Sequence, residues 1–407
     1  MRAFRNLLFG LTLICTVVMS GCGGTASVAG ISPVTRGKWT VLVYMNAAND
    51  LDTFSRLNVS QMQQVATNPD VRFVVQWKQS TKVTFDASFN GTRRYLIKQG
   101  SGNAIVSQLV QDMGTGVDMG VPQTVNNFIA WGKAHYPADH YALVLWDHGN
   151  GWLPGFKGAK PSTRPFAISY DDETGHSIQV WQLNQAFKNQ HLDIVAFDAS
   201  LMQMDEVAYQ IKDYTDFIAG SEESPPGAGY PYQRVFAPFS NTPDASPKDL
   251  SKAFVDGMLN EPTYSTFQIT QSVIDTSQLP GLATAASALQ SALVANKTSV
   301  NAIIAQARAN TQAYLPTNTR YFYDSIGLCN QLAALTGNAD IQTACANYNT
   351  AASNAIVWEG HNSMSPGSHG IAIDFSPNSF FSTVSGNYAK LDWNTASQWS
   401  QWLSVAQ

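Results

Sequence analysis

Two continuous apolar runs organise the chain. Tyr141–Trp146 (YALVLW) stops abruptly at Asp147-His148-Gly149-Asn150-Gly151, and Ile194–Phe197 (IVAF) stops at Asp198-Ala199-Ser200. Short runs rich in β-branched and aromatic residues read as strands buried on both faces, the environment of a parallel sheet. Trp39–Met45, Val71–Trp77, Phe166–Tyr170 and Asp216–Gly220 have the same character. Between them, Leu51–Gln64, Val121–His135, Ile178–Gln190 and Glu206–Tyr214 carry a helical period. Such alternation predicts a largely parallel α/β sheet covered by helices on both faces. Val83–Phe85 and Arg93–Ile97, on either side of Asn90-Gly91, resemble a β-hairpin insertion.

From about Asp244 the pattern becomes mainly helical, at Lys248–Leu259, Leu279–Arg308, Asp324–Thr336 and Asp340–Ala355. Strands at Phe267–Ile274 and Gly370–Phe375 interrupt it, and a last helix carries Trp399 and Trp402. The expected division is a core over 38–243, then a C-terminal helical region over 244–407 whose strands complete the sheet.

Ligands of open α/β sheets bind just beyond the carboxyl ends of the strands. Neighbouring strands at Tyr141–Trp146 and Ile194–Phe197 would bring His148 and Ser200 to one edge. A base beside a hydroxyl is one arrangement for acyl transfer. Asp198, two residues before Ser200, points to the same side by strand alternation, whereas Asp147 points away from His148. The bland readings are a histidine that caps its strand and a carboxylate that caps the following helix.

Composition narrows the function. Charged residues are only 13% of the 407 and the net charge is −5, so nothing favours the phosphate contacts of nucleic-acid binding. No Asp/Asn/Gly loop of EF-hand type occurs. The first 21 residues form a targeting segment: Arg2 and Arg5, the apolar Leu7–Met19, then Ser20-Gly21-Cys22. Small residues before a cysteine resemble a bacterial lipoprotein signal, which would make Cys22 the lipidated N-terminus and 22–37 a tether. The absence of an acidic residue after Cys22 favours the outer membrane of a Gram-negative cell. An ordinary secretory signal is the other reading. Export permits a disulfide between Cys329 and Cys345, the two cysteines left in the helical region.

Strand–His–Gly followed by strand–Asp–Ala–Ser–Leu–Met resembles the clostripain family of cysteine endopeptidases. WTVLVYMNAANDLD (39–52), EVAYQIKDYTDFIAGSEESPPGAGYPY (206–232) and SMSPGSHGIAIDF (363–375) agree with it in order along the chain. The resemblance implies a caspase-like α/β/α sandwich, with His148 as base and the Gly149 amide in an oxyanion hole. It implies an acidic pocket at Asp198, aided by Glu222 and Glu223, for Arg or Lys of a peptide or protein. Calcium enters only through some relatives, and processing would fall near Lys157, Lys160 or Arg164. At the nucleophile the pattern departs, because the family's Cys is replaced by Ser200. Two acidic positions of relatives are Ala48 and Ala228 here. A thiol ionises near pH 8.5, whereas a hydroxyl needs a base held by a carboxylate. Three readings stay open: a peptide-binding pseudopeptidase, an active serine endopeptidase, and a structural lipoprotein.

Overall fold

The computed structural model describes residues 35–84, 86–154 and 168–407. Cys22, the tether before residue 35, and Lys157, Lys160 and Arg164 lie outside the described residues. Residues 35–407 cluster as one compact unit.

The first five strands are β1 (Gly37–Ala47), β2 (Val71–Gln79), β3 (Gly91–Leu96), β4 (Gln108–Asp112) and β5 (Ala138–Trp146). Then follow β6 (Ile168–Asp171), β7 (His176–Ile178), β8 (Leu192–Asp198) and β9 (Thr215–Gly220). The C-terminal half adds β10 (Thr270–Asp275), β11 (Phe322–Asp324), β12 (Ile356–His361) and β13 (Ala372–Asp374). Nine of these form one sheet in the order β12-β10-β9-β8-β5-β1-β2-β3-β4. Its centre, β2-β1-β5-β8-β9, is parallel, and the outer strands pair antiparallel. The runs around His148 and Ser200 are therefore adjacent and parallel.

Strand alternation divides the interior into two cores. Val41, Val43, Met45, Val144, Ile194 and Ala196 face one layer, with the helix Asp52–Val65 and the segments from Tyr232 to Leu259. Leu42, Tyr44, Leu143, Leu145, Val195 and Phe197 face the other, with Pro122–His135, Asp205–Ile211 and the C-terminal helices. The result is a mixed α/β sandwich around a mostly parallel sheet. Sheet and helices share the C-terminal half: β10 and β12 extend the sheet, while helices such as Leu279–Ala295 and Ala339–Ala355 cover it.

Four expectations need correction. The strands expected at Phe166–Tyr170 and Gly370–Phe375 do not join the large sheet: β6 pairs with β7 and β13 with β11, each antiparallel in a separate two-stranded sheet. The hairpin joins β3 to β4, and β3 also pairs with β2. Val83 lies in the turn connecting β2 to β3, and Phe85 lies outside the described residues. The long helix over 279–308 is two, Leu279–Ala295 and Lys297–Ala309. Asn296 separates them, its side-chain amide bonding back to the Ala292 carbonyl at 2.9 Å, as amide side chains do when they compete with helix continuation. Finally, Cys329 and Cys345 are free thiols and not the expected disulfide. Both are buried on neighbouring helices and pack as small apolar side chains. Burial and the adjacent Cys345 push the Cys329 thiol well above its ordinary range.

Candidate functional site

The site is built where β5 and β8 end. Trp146 stands opposite Asp198 in the parallel register, and the Asp147 amide donates to the Asp198 carbonyl at 3.2 Å. The two strands thus release His148 and Ser200 side by side in the chain path. Gly149 makes the approach possible. A Cβ there would fall 2.6 Å from the Ser200 carbonyl oxygen and 3.0 Å from the Ala199 Cβ. Just past Ser200, Leu201 holds a left-handed φ of +66° with its side chain fully buried. Such a conformation costs about 1–2 kcal/mol for a non-glycine residue and persists where packing enforces it.

A cavity of about 200 Å³ opens at this edge, walled by His148, Ser200, Ser224, Pro225, Pro226, Gly227 and Gly229, with Trp146, Asp147 and Asp198 also lining it. Asp198 is almost fully buried. Its Oδ1 accepts from the Tyr230 amide at 2.9 Å and its Oδ2 from the Tyr232 hydroxyl at 2.7 Å. Burial nevertheless outweighs these donors and raises the carboxyl to about 7. Gly229, at φ +63°, lies so close over this carboxylate that no side chain fits there. The Tyr264 hydroxyl fixes the Gly229 carbonyl at 2.7 Å, so tyrosines hold the Gly/Pro loop in place.

His148 is a third exposed, and its Nε2 lies 2.7 Å from Asp50 Oδ1. Asp50 comes from the turn after β1, the strand on the other side of β5. Asp147 takes no part in that contact. Its Oδ1 accepts from the His148 backbone amide at 2.6 Å and from Asn49 Nδ2 at 2.7 Å, and burial pushes its carboxyl well up. Ser200 Oγ is 2.8 Å from Ser224 Oγ. Among the described residues no cluster of three or more His, Cys, Asp or Glu is placed to hold a metal ion.

The clostripain family profile matches residues 43–405, which includes both strands and nearly all of the described fold. The chain belongs to the clostripain family. Clostripain from Hathewaya histolytica is 24% identical over 225 residues, 49% of this chain and 41% of that protein. The chain thus spans less than half the length of that relative. Among solved structures, a secreted C11 cysteine protease from Bacteroides thetaiotaomicron, bound to an irreversible peptide inhibitor, superposes with a TM-score of 0.67. It is 22% identical, over 89% of this chain and 99% of that one. An inactive zymogen C11 protease from Parabacteroides distasonis gives 0.66 at 19% identity, over 92% and 99%. These similarities show the fold.

Within this clostripain-family fold, not every residue suggested by the sequence reaches the cavity. His148, Ser200 and Asp198 line it. Glu222 and Glu223 do not, and the expectation that they help bind substrate is corrected on that ground. Glu222 is buried with its Oε1 on the Tyr314 hydroxyl at 2.8 Å, and Glu223 accepts from the Ser224 and Leu315 amides at 2.7 and 3.0 Å. Ala228 turns its carbonyl to Asn58 Nδ2 at 3.0 Å, and Ala48 is buried behind the β1 end. Asp50 and Ser224 were not expected. Asp50 stands at a strand's carboxyl edge and Ser224 in the pocket loop, and those places were the only signal for either.

Proposed function

We propose that this protein is an exported clostripain-family peptide binder in which cleavage after Arg or Lys is absent or much reduced. The cavity over Asp198 carries the reading: it remains open, with an acidic floor suited to a cationic side chain of a peptide or protein. A purely structural relic would fill that space with side chains. Ser200 stands where the family's thiol is expected, and a hydroxyl on Ser224 lacks the acidity of a thiol beside an imidazole. Gly149 packs against the Ser200 turn, and its amide is the candidate oxyanion donor beside the nucleophile position. The N-terminal signal ending at Cys22 supports lipid anchoring at the cell envelope, and a solved relative described as secreted agrees with export.

A specific observation favours a second reading, an active serine endopeptidase: the carboxylate of Asp50 on His148. One experiment separates the two. Wild type, Ser200→Ala and Ser200→Cys are compared on short peptides containing a single Arg or Lys, with binding and turnover both measured. Binding by all three with weak turnover only in Ser200→Cys supports the binder. Wild-type turnover that disappears in Ser200→Ala establishes the serine enzyme, and failure of all three to bind removes both.

A further inference from the structure

We propose that Asp50 is the positioning residue of His148, fixing which ring nitrogen can take a proton. The inference rests on the reading of His148 as the base of the site.

A carboxylate oxygen 2.7 Å from Nε2 can only accept, so the hydrogen of a neutral His148 ring lies on Nε2. Nδ1 is then the nitrogen that carries the lone pair. A partner on one ring nitrogen sets the tautomer and the basicity at the other, which is how a carboxylate serves a catalytic imidazole. Three other contacts limit what the ring can do. Its own backbone amide is tied to Asp147, so the main chain beneath the ring is fixed independently of Asp50. The Tyr170 ring meets the imidazole edge-on, with centroids 6.1 Å apart. Gly149, the next residue, lies against the Ser200 turn. What the backbone leaves open is the rotation of the imidazole about its side-chain bonds, and Asp50 is a charged group that restrains it.

The pair is not a stability device. Asp50 is 62% exposed and His148 31%, and ion pairs so open to water contribute little to folding. Its consequence lies in the charge that develops on the ring. Once a peptide covers the cavity mouth and removes water, a carboxylate beside an imidazolium gains strength as the local dielectric falls. Asp147 also borders the cavity, but its Oδ1 is taken by the His148 backbone amide and Asn49, and the Asp198 oxygens are held by Tyr230 and Tyr232, so neither takes the place of Asp50 on the ring. The turn after β1 thereby supplies a carboxylate on the base, while Ser200 Oγ meets Ser224 Oγ rather than the imidazole.

The test reads the environment at position 200 without requiring proteolysis. In Ser200→Cys, iodoacetamide alkylation is followed by peptide mapping from pH 5 to 10, so that Cys329 and Cys345 do not contribute. A thiol alone is alkylated with a midpoint near pH 8.5, and an imidazolium partner extends reaction to lower pH. The expected rate at pH 6 is about tenfold lower in Ser200→Cys/Asp50→Asn than in Ser200→Cys, with the midpoint moved up. Ser200→Cys/Asp50→Glu recovers part of the rate. General loosening would instead scale the rate alike at every pH and would overturn the proposal. If His148→Ala slows alkylation and Asp50→Asn does not, His148 is the base but Asp50 does not position it. If His148→Ala has no effect, the reading of His148 as base fails first and the proposal with it.

Discussion

Asp198, the last residue of β8, and Glu222, two residues past the end of the neighbouring parallel β9, are both buried carboxyls, yet they serve opposite sides of the edge. Asp198 receives one backbone and one side-chain donor from the Gly/Pro loop and lines the cavity. Glu222 turns inward, where the Tyr314 hydroxyl reaches it at 2.8 Å, Ser368 Oγ at 2.9 Å and Asp324 Oδ2 at 3.3 Å. Asp324 in turn accepts from His369 Nδ1 at 2.8 Å and from the Gly327 amide at 2.6 Å. Burial raises both carboxyls, but Glu222 is pushed well up because Asp324 adds a like charge. Position at a strand end therefore does not make an acid part of the site. The partner that arrives from distant chain decides, and for Glu222 that partner is a cluster tying the pocket loop to the C-terminal half.

The sharpest break of this comparison is Asp198→Asn. The amide keeps the shape and both neighbours, since its oxygen still accepts from Tyr230 and its nitrogen donates to the Tyr232 hydroxyl. Loss of a charge-assisted hydrogen bond costs about 1.5–3 kcal/mol, so Arg or Lys peptides should bind about 10- to 100-fold more weakly, while melting stays near wild type at pH 4 and rises above it towards pH 8, where the buried carboxyl of wild type ionises. Calorimetric titration measures the first and thermal unfolding the second. The pH dependence follows from the same residue. With its carboxyl raised to about 7, Asp198 is protonated and uncharged below that value, and cation affinity should rise from pH 5.5 to 8. Folding moves the other way. The native state holds this proton between the unfolded value near 3.9 and about 7, so the residue's contribution to stability is full below that window and lost across it as pH rises. A flat binding profile would take Asp198 out of the site.

Tyr314→Phe probes the other side. It removes one hydroxyl shared by Glu222, Asp324 and Ser368, all buried, and leaves their oxygens short of a donor. A loss of about 1–3 kcal/mol in chemical denaturation is expected, with cation affinity unchanged. If Tyr314→Phe weakened peptide binding as much as Asp198→Asn, the division between site and scaffold would be wrong.

The parts readable from sequence are those set by local chemistry. Runs buried on both faces announced β5 and β8, and a histidine and a serine at their ends had to emerge at one edge once the strands were neighbours. Asp198 followed by alternation. Asp50 did not, because its partner lies 98 residues away, on the far side of the strand pairing of β1 with β5. The placement of Glu222 and Glu223 failed for the converse reason: lying beside the pocket loop in sequence says nothing about Tyr314, 92 residues on. Leu279–Ala295 and Lys297–Ala309 read as one helix because the apolar period runs through Asn296, whose side chain makes the break.

A smaller effect belongs to His369, which is 43% exposed and donates to Asp324. Its imidazole is held above the ordinary value, first by that hydrogen bond and then by the charges of Asp324 and Glu359, against a lowering from burial. The stabilisation is fully present below the unfolded value near 6.5 and is lost as pH rises through the folded one. The melting difference between wild type and His369→Gln should therefore be largest near pH 6 and shrink towards pH 9. A difference that grew with pH would place the imidazole outside the cluster.

The smallest effect expected is at Ser224, and it tests which side of the comparison the loop's own hydroxyl belongs to. Ser224 Oγ meets Ser200 Oγ at 2.8 Å beside the cavity, while the Ser224 backbone amide is held separately by Glu223 Oε1 at 2.7 Å. Removing the hydroxyl therefore leaves the loop's backbone tie in place, and Ser200 can turn to water in a cavity already open to it. Ser224→Ala should cost no more than about 0.5–1 kcal/mol in thermal unfolding and leave peptide affinity within a factor of two or so. A loss near that of Tyr314→Phe would mean that the hydroxyl pair clamps the loop to the β8 end. Ser224 would then join Glu222 among the groups that hold the edge together, and only Asp198, Asp50 and His148 would remain on the side that meets a ligand.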